Sequence, residues 1–103
     1  MTAPELLSPE KIKNRASDLE NWSVLEDHSL VAVFEFPDFA NALEFTIKVG
    51  LISEEMQHHP EINLSWGKVA LEITTNDRGG LTELDFLFAQ RINELIKANE
   101  LRV

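Results

Sequence analysis

The residues best equipped for chemistry in this 103-residue chain stand together in Glu54-Glu55-Met56-Gln57-His58-His59-Pro60-Glu61. The stretch holds two of the three histidines, adjacent to each other, before a proline and among carboxylates. An imidazole titrates near neutrality and can give or take a proton, so this grouping suits acid–base work on a small molecule. Residue types alone leave two readings open: such a site, or a polar loop bearing two surface histidines. In a regular strand, neighbours 58 and 59 would point to opposite faces. Other chemistries find less support. The chain has no cysteine, which removes disulfides, thiolate nucleophiles and cysteine-ligated metals. The HExxH spacing of a helical zinc site is missing, and His28 is remote. Gly79-Gly80 lacks the lysine and spacing of a phosphate loop and reads as a turn that needs positive φ. No serine nucleophile arrangement is visible.

Composition narrows the partners. Eighteen acidic residues against nine basic ones give a formal charge of −9, which repels phosphate backbones and argues against nucleic acid. No basic amphipathic helix points to a membrane surface, and no apolar run is long enough to cross one. The N-terminus lacks a basic segment followed by an apolar run, so no signal peptide is expected and a cytoplasmic location fits. A length of 103 residues and a hydrophobic content of 44% suit a single domain over residues 1–103 with its own core. A small molecule or another protein is the expected partner.

The elements that must position the histidines follow from caps and periodicity. Ser8-Pro9-Glu10 starts a helix running to about Leu19, with Leu6 or Leu7, Ile12, Ala16 and Leu19 inward. Asn21 to Glu26 alternates as a strand, Asp27-His28 turns, and Ser29 to Phe36 is a second, β-branched and aromatic strand. His28 is a solvated loop histidine on this reading. Asp38 caps a long helix over about Phe39 to Met56. Its polar face is narrow and its apolar face broad. Glu54 breaks the pattern, falling between Leu43 and Ile47 on the apolar side, where a carboxylate needs a partner or a pocket. If the helix continued, Glu54 would share a face with His58 one turn on.

Pro60 makes His59 extended. Ile62, Leu64 and Trp66, then Val69, Leu71 and Ile73, alternate with polar or small residues around Gly67-Lys68. A two-residue type II′ loop there predicts pairs Trp66–Val69, Leu64–Leu71 and Ile62–Ile73, with His59 opposite Asn76. After Asp77-Arg78-Gly79-Gly80, the polar pair Thr82 and Asp85 starts a last helix. Its predicted core stripe is Leu84, Leu87, Phe88, Ile92, Leu95 and Ile96; Phe86 points off it, a possible mark of an oligomer contact. The order α-β-β-α-β-β-α predicts an α+β fold: an antiparallel sheet of about four strands, helices on one face, polar residues or an oligomer contact on the other.

Glu54-x-x-x-His58-His59-Pro60-Glu61, then Trp66, then Gly80-Leu81-Thr82 and Asp85, resembles the pterin-4a-carbinolamine dehydratases. Asn21-Trp22, Phe34-Glu35-Phe36 and Asp38-Phe39-x-x-Ala42-x-x-Phe45 also match, so the resemblance spans about Ser8 to Ile96. It implies the α+β fold above, a homodimer or homotetramer, and no metal or organic cofactor. It also implies dehydration of a pterin substrate, 4a-hydroxytetrahydropterin, to quinonoid dihydropterin, which recycles the cofactor of aromatic amino acid hydroxylases. His58 and His59 match the family's catalytic histidines. Glu54, Pro60, Glu61, Trp66, Asn76 and Asp85 match positions expected around the substrate, and Glu54 could orient one histidine. Two residues depart from the pattern. Ile62 stands where an aromatic is usual, and Asn76 stands where the family has a third histidine. Asparagine can hydrogen-bond a pterin but exchanges no proton near neutrality. That departure sets a working dehydratase against a dehydratase-like binding or assembly factor, a role known among relatives in transcription-factor dimerisation and Rubisco assembly.

Overall fold

The long helix forms where its caps place it. In the computed structural model, which describes residues 4–99, α2 spans Phe39–Met56 and the Asp38 side chain accepts from the Asn41 amide at 2.8 Å. The first helix, α1, spans Pro9–Ser17, with Ser8 capping the Lys11 amide and proline at the first helical position. It stops short of Leu19. The third, α3, spans Glu83–Asn99.

Between the helices lie β1 (Ser23–Leu25), β2 (Ser29–Glu35), β3 (Glu61–Ser65) and β4 (Lys68–Ile73). They form one antiparallel sheet in the order β1-β2-β4-β3, so the α+β architecture expected from the sequence is the one observed. β1 is shorter than its alternating pattern suggests. Asn21 takes a left-handed φ of 74° just before it, and Glu26 and Asp27, both left-handed, turn the chain after it. A 3₁₀ turn, Asn76–Arg78, links β4 to α3.

The β3–β4 hairpin differs from its predicted register by two residues. Leu64 pairs with Val69 and Ile62 with Leu71, so the two-residue turn is Trp66-Gly67. A two-residue slip keeps every side chain on the same face, so alternation alone cannot distinguish the two pairings. The glycine is required by close approach rather than by a positive φ. A Cβ on Gly67 would lie 2.8 Å from the Phe36 carbonyl oxygen, and the Phe36 amide donates to the Gly67 carbonyl at 2.8 Å. At the β4 exit Gly79 does carry a positive φ of 75°.

Leu30, Ala32 and Phe34 of β2 and Val69, Leu71 and Ile73 of β4 face the helices and are buried with Phe45, Val49, Phe88 and Ile92. Phe34, Phe36 and Phe45 stack at ring separations of 5.0–5.2 Å, closing the space between sheet and α2. The opposite sheet face carries Glu35, Lys68, Asn63 and an exposed Val33. Two faces of the helices differ from expectation. On α3, Phe86 is buried under the Arg15 guanidinium, 5.1 Å from its ring centre, so it is not an exposed oligomer contact, while Leu87 is exposed. The buried face is rotated toward Asp85, Phe86 and Ala89. On α2, only part of the broad apolar surface meets the sheet; Leu43, Ile47 and Leu51 stay exposed. Among the described residues no helix is long and apolar enough to cross a membrane.

Candidate active site

The end of α2 decides where the two histidines go. Gln57 adopts the left-handed conformation, its amide donates to the Glu54 carbonyl, and the His58 amide donates to the Ser53 carbonyl at 3.0 Å. This double bond pattern is the Schellman stop, and it reverses the chain within two residues. Gln57 lacks glycine's freedom there, but its side-chain amide donates to the Glu54 carbonyl at 2.7 Å and adds a local tie. The helix ends at Met56, within its expected bounds, so the condition under which Glu54 and His58 would share a face is not met.

The reversal sends the adjacent rings opposite ways. His58 turns inward and is 9% exposed; the side chain of His59 stays about half exposed. Each has a carboxylate on Nε2. His58 Nε2 lies 2.6 Å from Asp85 Oδ1, and His59 Nε2 lies 2.6 Å from Glu54 Oε2. Glu54 has His59 as its partner, but the stripe it stands on is exposed and its own side chain is 71% exposed, so burial does not demand one.

Asp85 is fully buried, at the first turn of α3. Its Oδ2 accepts from the Thr82 amide and from the Thr75 hydroxyl, both at 2.8 Å, and the Thr75 and Thr82 hydroxyls are 2.8 Å apart. Both oxygens are occupied by protein donors, so Asp85 meets His58 and not the cleft, which corrects its expected place against substrate. Thr82 was expected only to start the last helix with Asp85, and Thr75 had no expected role. No buried side-chain nitrogen or oxygen among the described residues lacks a partner.

His58 and His59 line a single open cleft of about 330 Å³ with Thr74, Thr75 and Asn76. A smaller recess of about 190 Å³ continues from His59 past Glu61, Glu72, Thr74 and Asn76. Asn76 reaches this cleft by a route other than the predicted one. The hairpin register leaves it outside the β3–β4 ladder, and it enters as the first residue of the 3₁₀ turn. Glu61 lies directly opposite Glu72 across the hairpin, and Pro60 is half-buried at the strand entrance. Trp66 is not brought to the cleft: it sits 68% exposed in the hairpin turn, at the far end of β3. His28 is exposed beside the β1–β2 turn. Among the described residues no group of three or more acids and histidines is arranged to hold a metal ion.

Two imidazoles share one cleft on this sheet-and-helix frame, each with a carboxylate 2.6 Å from its Nε2, an arrangement with the chemistry for acid–base work. The chain belongs to the pterin 4 alpha carbinolamine dehydratase family, whose model matches residues 5–95. A relative from Alkaliphilus metalliredigens is 42% identical over 85% of this chain and 80% of its own, and one from Rubrobacter xylanophilus is 38% identical over 86% and 83%. Both are provisionally named pterin-4-alpha-carbinolamine dehydratase. The fold is similar to the crystal structure of a transcriptional coactivator/pterin dehydratase from Brucella melitensis, with a TM-score of 0.81 at 27% identity, covering 86% of this chain and 96% of that one. It is also similar to a pterin dehydratase-like protein described as a RuBisCO assembly factor in the alpha-carboxysome, with a TM-score of 0.63 at 26% identity over 74% and 89%.

Proposed function

We propose that this chain is a cytoplasmic hydro-lyase that dehydrates 4a-hydroxytetrahydropterin to quinonoid dihydropterin, so recycling tetrahydropterin for aromatic amino acid hydroxylases. The C4a–O bond breaks and the hydroxyl leaves as water after taking a proton from one imidazole. The other imidazole removes the N5 proton, and the electrons of that bond form the N5–C4a double bond. The reaction needs one acid and one base on the same substrate. The observation that carries this reading is that His58 and His59 line one cleft, each with a carboxylate 2.6 Å from its Nε2. The test is dehydration of enzymatically generated 4a-hydroxytetrahydropterin by the pure protein and by His59→Ala. The wild type is expected to exceed background, and loss of one proton-transfer group to cost about 10²- to 10⁴-fold. Rates at background for both proteins would sink this reading.

One observation favours a second reading, a dehydratase-like binding or assembly factor. Asn76, which lines the cleft with His58 and His59, offers no proton near neutrality. The same assay decides between the two.

The reading extends to a homo-oligomer. Leu43, Ile47 and Leu51 recur every fourth residue along α2 and are 40–66% exposed. The stripe is symmetric about Ile47, so an antiparallel second copy would set Leu43 against Leu51 and align the helix dipoles favourably. Glu54 lies on the same stripe, which places the Glu54–His59 pair at the edge of such a contact.

A further inference from the structure

The direction of each hydrogen bond around Asp85 can be assigned from its donors. The Thr82 amide can only donate, and it donates to Asp85 Oδ2 at 2.8 Å. The Thr75 hydroxyl donates its single proton to the same oxygen at 2.8 Å. The Thr82 hydroxyl, 2.8 Å from that of Thr75, must therefore donate to Thr75 Oγ1, while its own oxygen accepts from the Leu84 amide at 3.2 Å. Every proton in the chain Thr82, Thr75, Asp85 runs one way, toward the carboxylate. Oδ1 is then an acceptor aimed at His58 Nε2, 2.6 Å away.

We infer that Thr75, Thr82 and Asp85 are positioning residues that lock His58 in the Nε2–H tautomer and so route its proton exchange with substrate, in the proposed dehydration, through Nδ1. With Nε2 committed to Asp85, Nδ1 is the ring nitrogen left to the cleft, and it carries the lone pair. When Nδ1 is protonated, the ring is an imidazolium facing a carboxylate that accepts three bonds. The catalytic part of this inference rests on the proposed reaction, but the tautomer itself is a ground-state property and can be read without turnover.

Asp85→Asn separates this from a merely structural role. Two donors converge at the Oδ2 position, and one of them is a backbone amide that cannot rotate away. The new amide must place its oxygen there and its NH₂ toward His58. Nε2 is then forced to accept, and the proton moves to Nδ1. Long-range ¹H–¹⁵N correlation spectra of the ¹⁵N-labelled full chain, at a pH where the ring is neutral, read the two nitrogens directly. The wild type is expected to show a protonated Nε2 and a bare Nδ1, and Asp85→Asn the reverse. Its kcat should fall by about 10⁴-fold, the cost where a wrong tautomer is imposed on a catalytic histidine, with KM little changed. Thr75→Val should lose rate and Thr75→Ser restore most of it. A wild-type ring carrying its proton on Nδ1, or an averaged mixture, overturns the inference even if Asp85→Asn fails to fold. So does a folded Asp85→Asn with an unchanged tautomer. A locked Nε2–H tautomer in a protein that shows no dehydration would uphold the tautomer lock and overturn the catalytic role of Nδ1.

Discussion

Glu54 and His59 meet at 2.6 Å across the left-handed turn that ends α2, five residues apart in sequence. The contact exists because the helix stops where it does: one more helical residue would carry His59 around the axis and away from Glu54. Both side chains are more than half exposed, so the pair adds at most about 1 kcal/mol to stability. Glu54→Gln is therefore expected to leave the urea unfolding midpoint nearly unchanged. Dehydration should nonetheless slow by about 10- to 100-fold, the usual cost of removing a partner that orients a reactive histidine. Parallel denaturation and turnover measurements check this, and a large loss of stability would show that the pair is structural.

How far such contacts could be read from the sequence depended on what fixed them. Local chemistry was legible. Asp38 as a cap, the bounds of α2 and the start of α1 all follow from residues within four positions of each other. Glu54 was recognisable as out of place because its neighbours on the helix wheel are apolar. The hairpin was legible except for its register, since two pairings two residues apart bury the same face. What failed was rotation and reach. The wheel for α3 turned Phe88, Ile92, Leu95 and Ile96 inward, as the fold does, but it left out Phe86 and Asp85, which are buried, and included Leu87, which is exposed. The Asp85–His58 bond joins residues 27 apart, and no local pattern encodes which acid closes on which histidine.

Asn76→His is the direct test of the departure at the cleft. Asn76 lines the same recess as His59 and Thr74, so a histidine there would add a proton-transfer group without moving the others. The expected result is a gain in kcat of about 10²-fold or more, toward the low end of what one such group supplies. Steady-state kinetics on the proposed substrate measure it. An unchanged rate would mean that two histidines already suffice.

Ile47→Glu tests the exposed stripe on α2. Ile47 is 55% exposed in the monomer and lies at the centre of the Leu43–Leu51 repeat. Sedimentation or light scattering should show the wild type as an oligomer and the variant shifted to monomer. Burying a carboxylate against its own symmetry mate is strongly unfavourable. The folded monomer should keep its circular dichroism spectrum, since the position faces away from the core. A variant with unchanged mass would place the contact elsewhere.

Asn93 ties α3 to the segment leading into β1, and its removal should destabilise without touching the chemistry. Its Oδ1 accepts from Trp22 Nε1 at 3.1 Å and from the Asn21 side chain at 3.3 Å, while its Nδ2 donates to the Glu20 carbonyl at 2.9 Å. Trp22 is buried and packs edge-on to Phe34 and Phe88, so its indole N–H has little access to water. Asn93→Ala strands that donor and frees a left-handed Asn21 that the bond helps to hold. Each unsatisfied group costs about 1–3 kcal/mol, and the exposed partners recover most of theirs from water, so a net loss of about 2 kcal/mol is expected. Urea denaturation followed by Trp22 fluorescence reads it. The rate per folded molecule should hold, because none of these groups lines the cleft of His58 and His59. A fall in kcat without loss of stability would show instead that the α3 end opposite Asp85 communicates with the site.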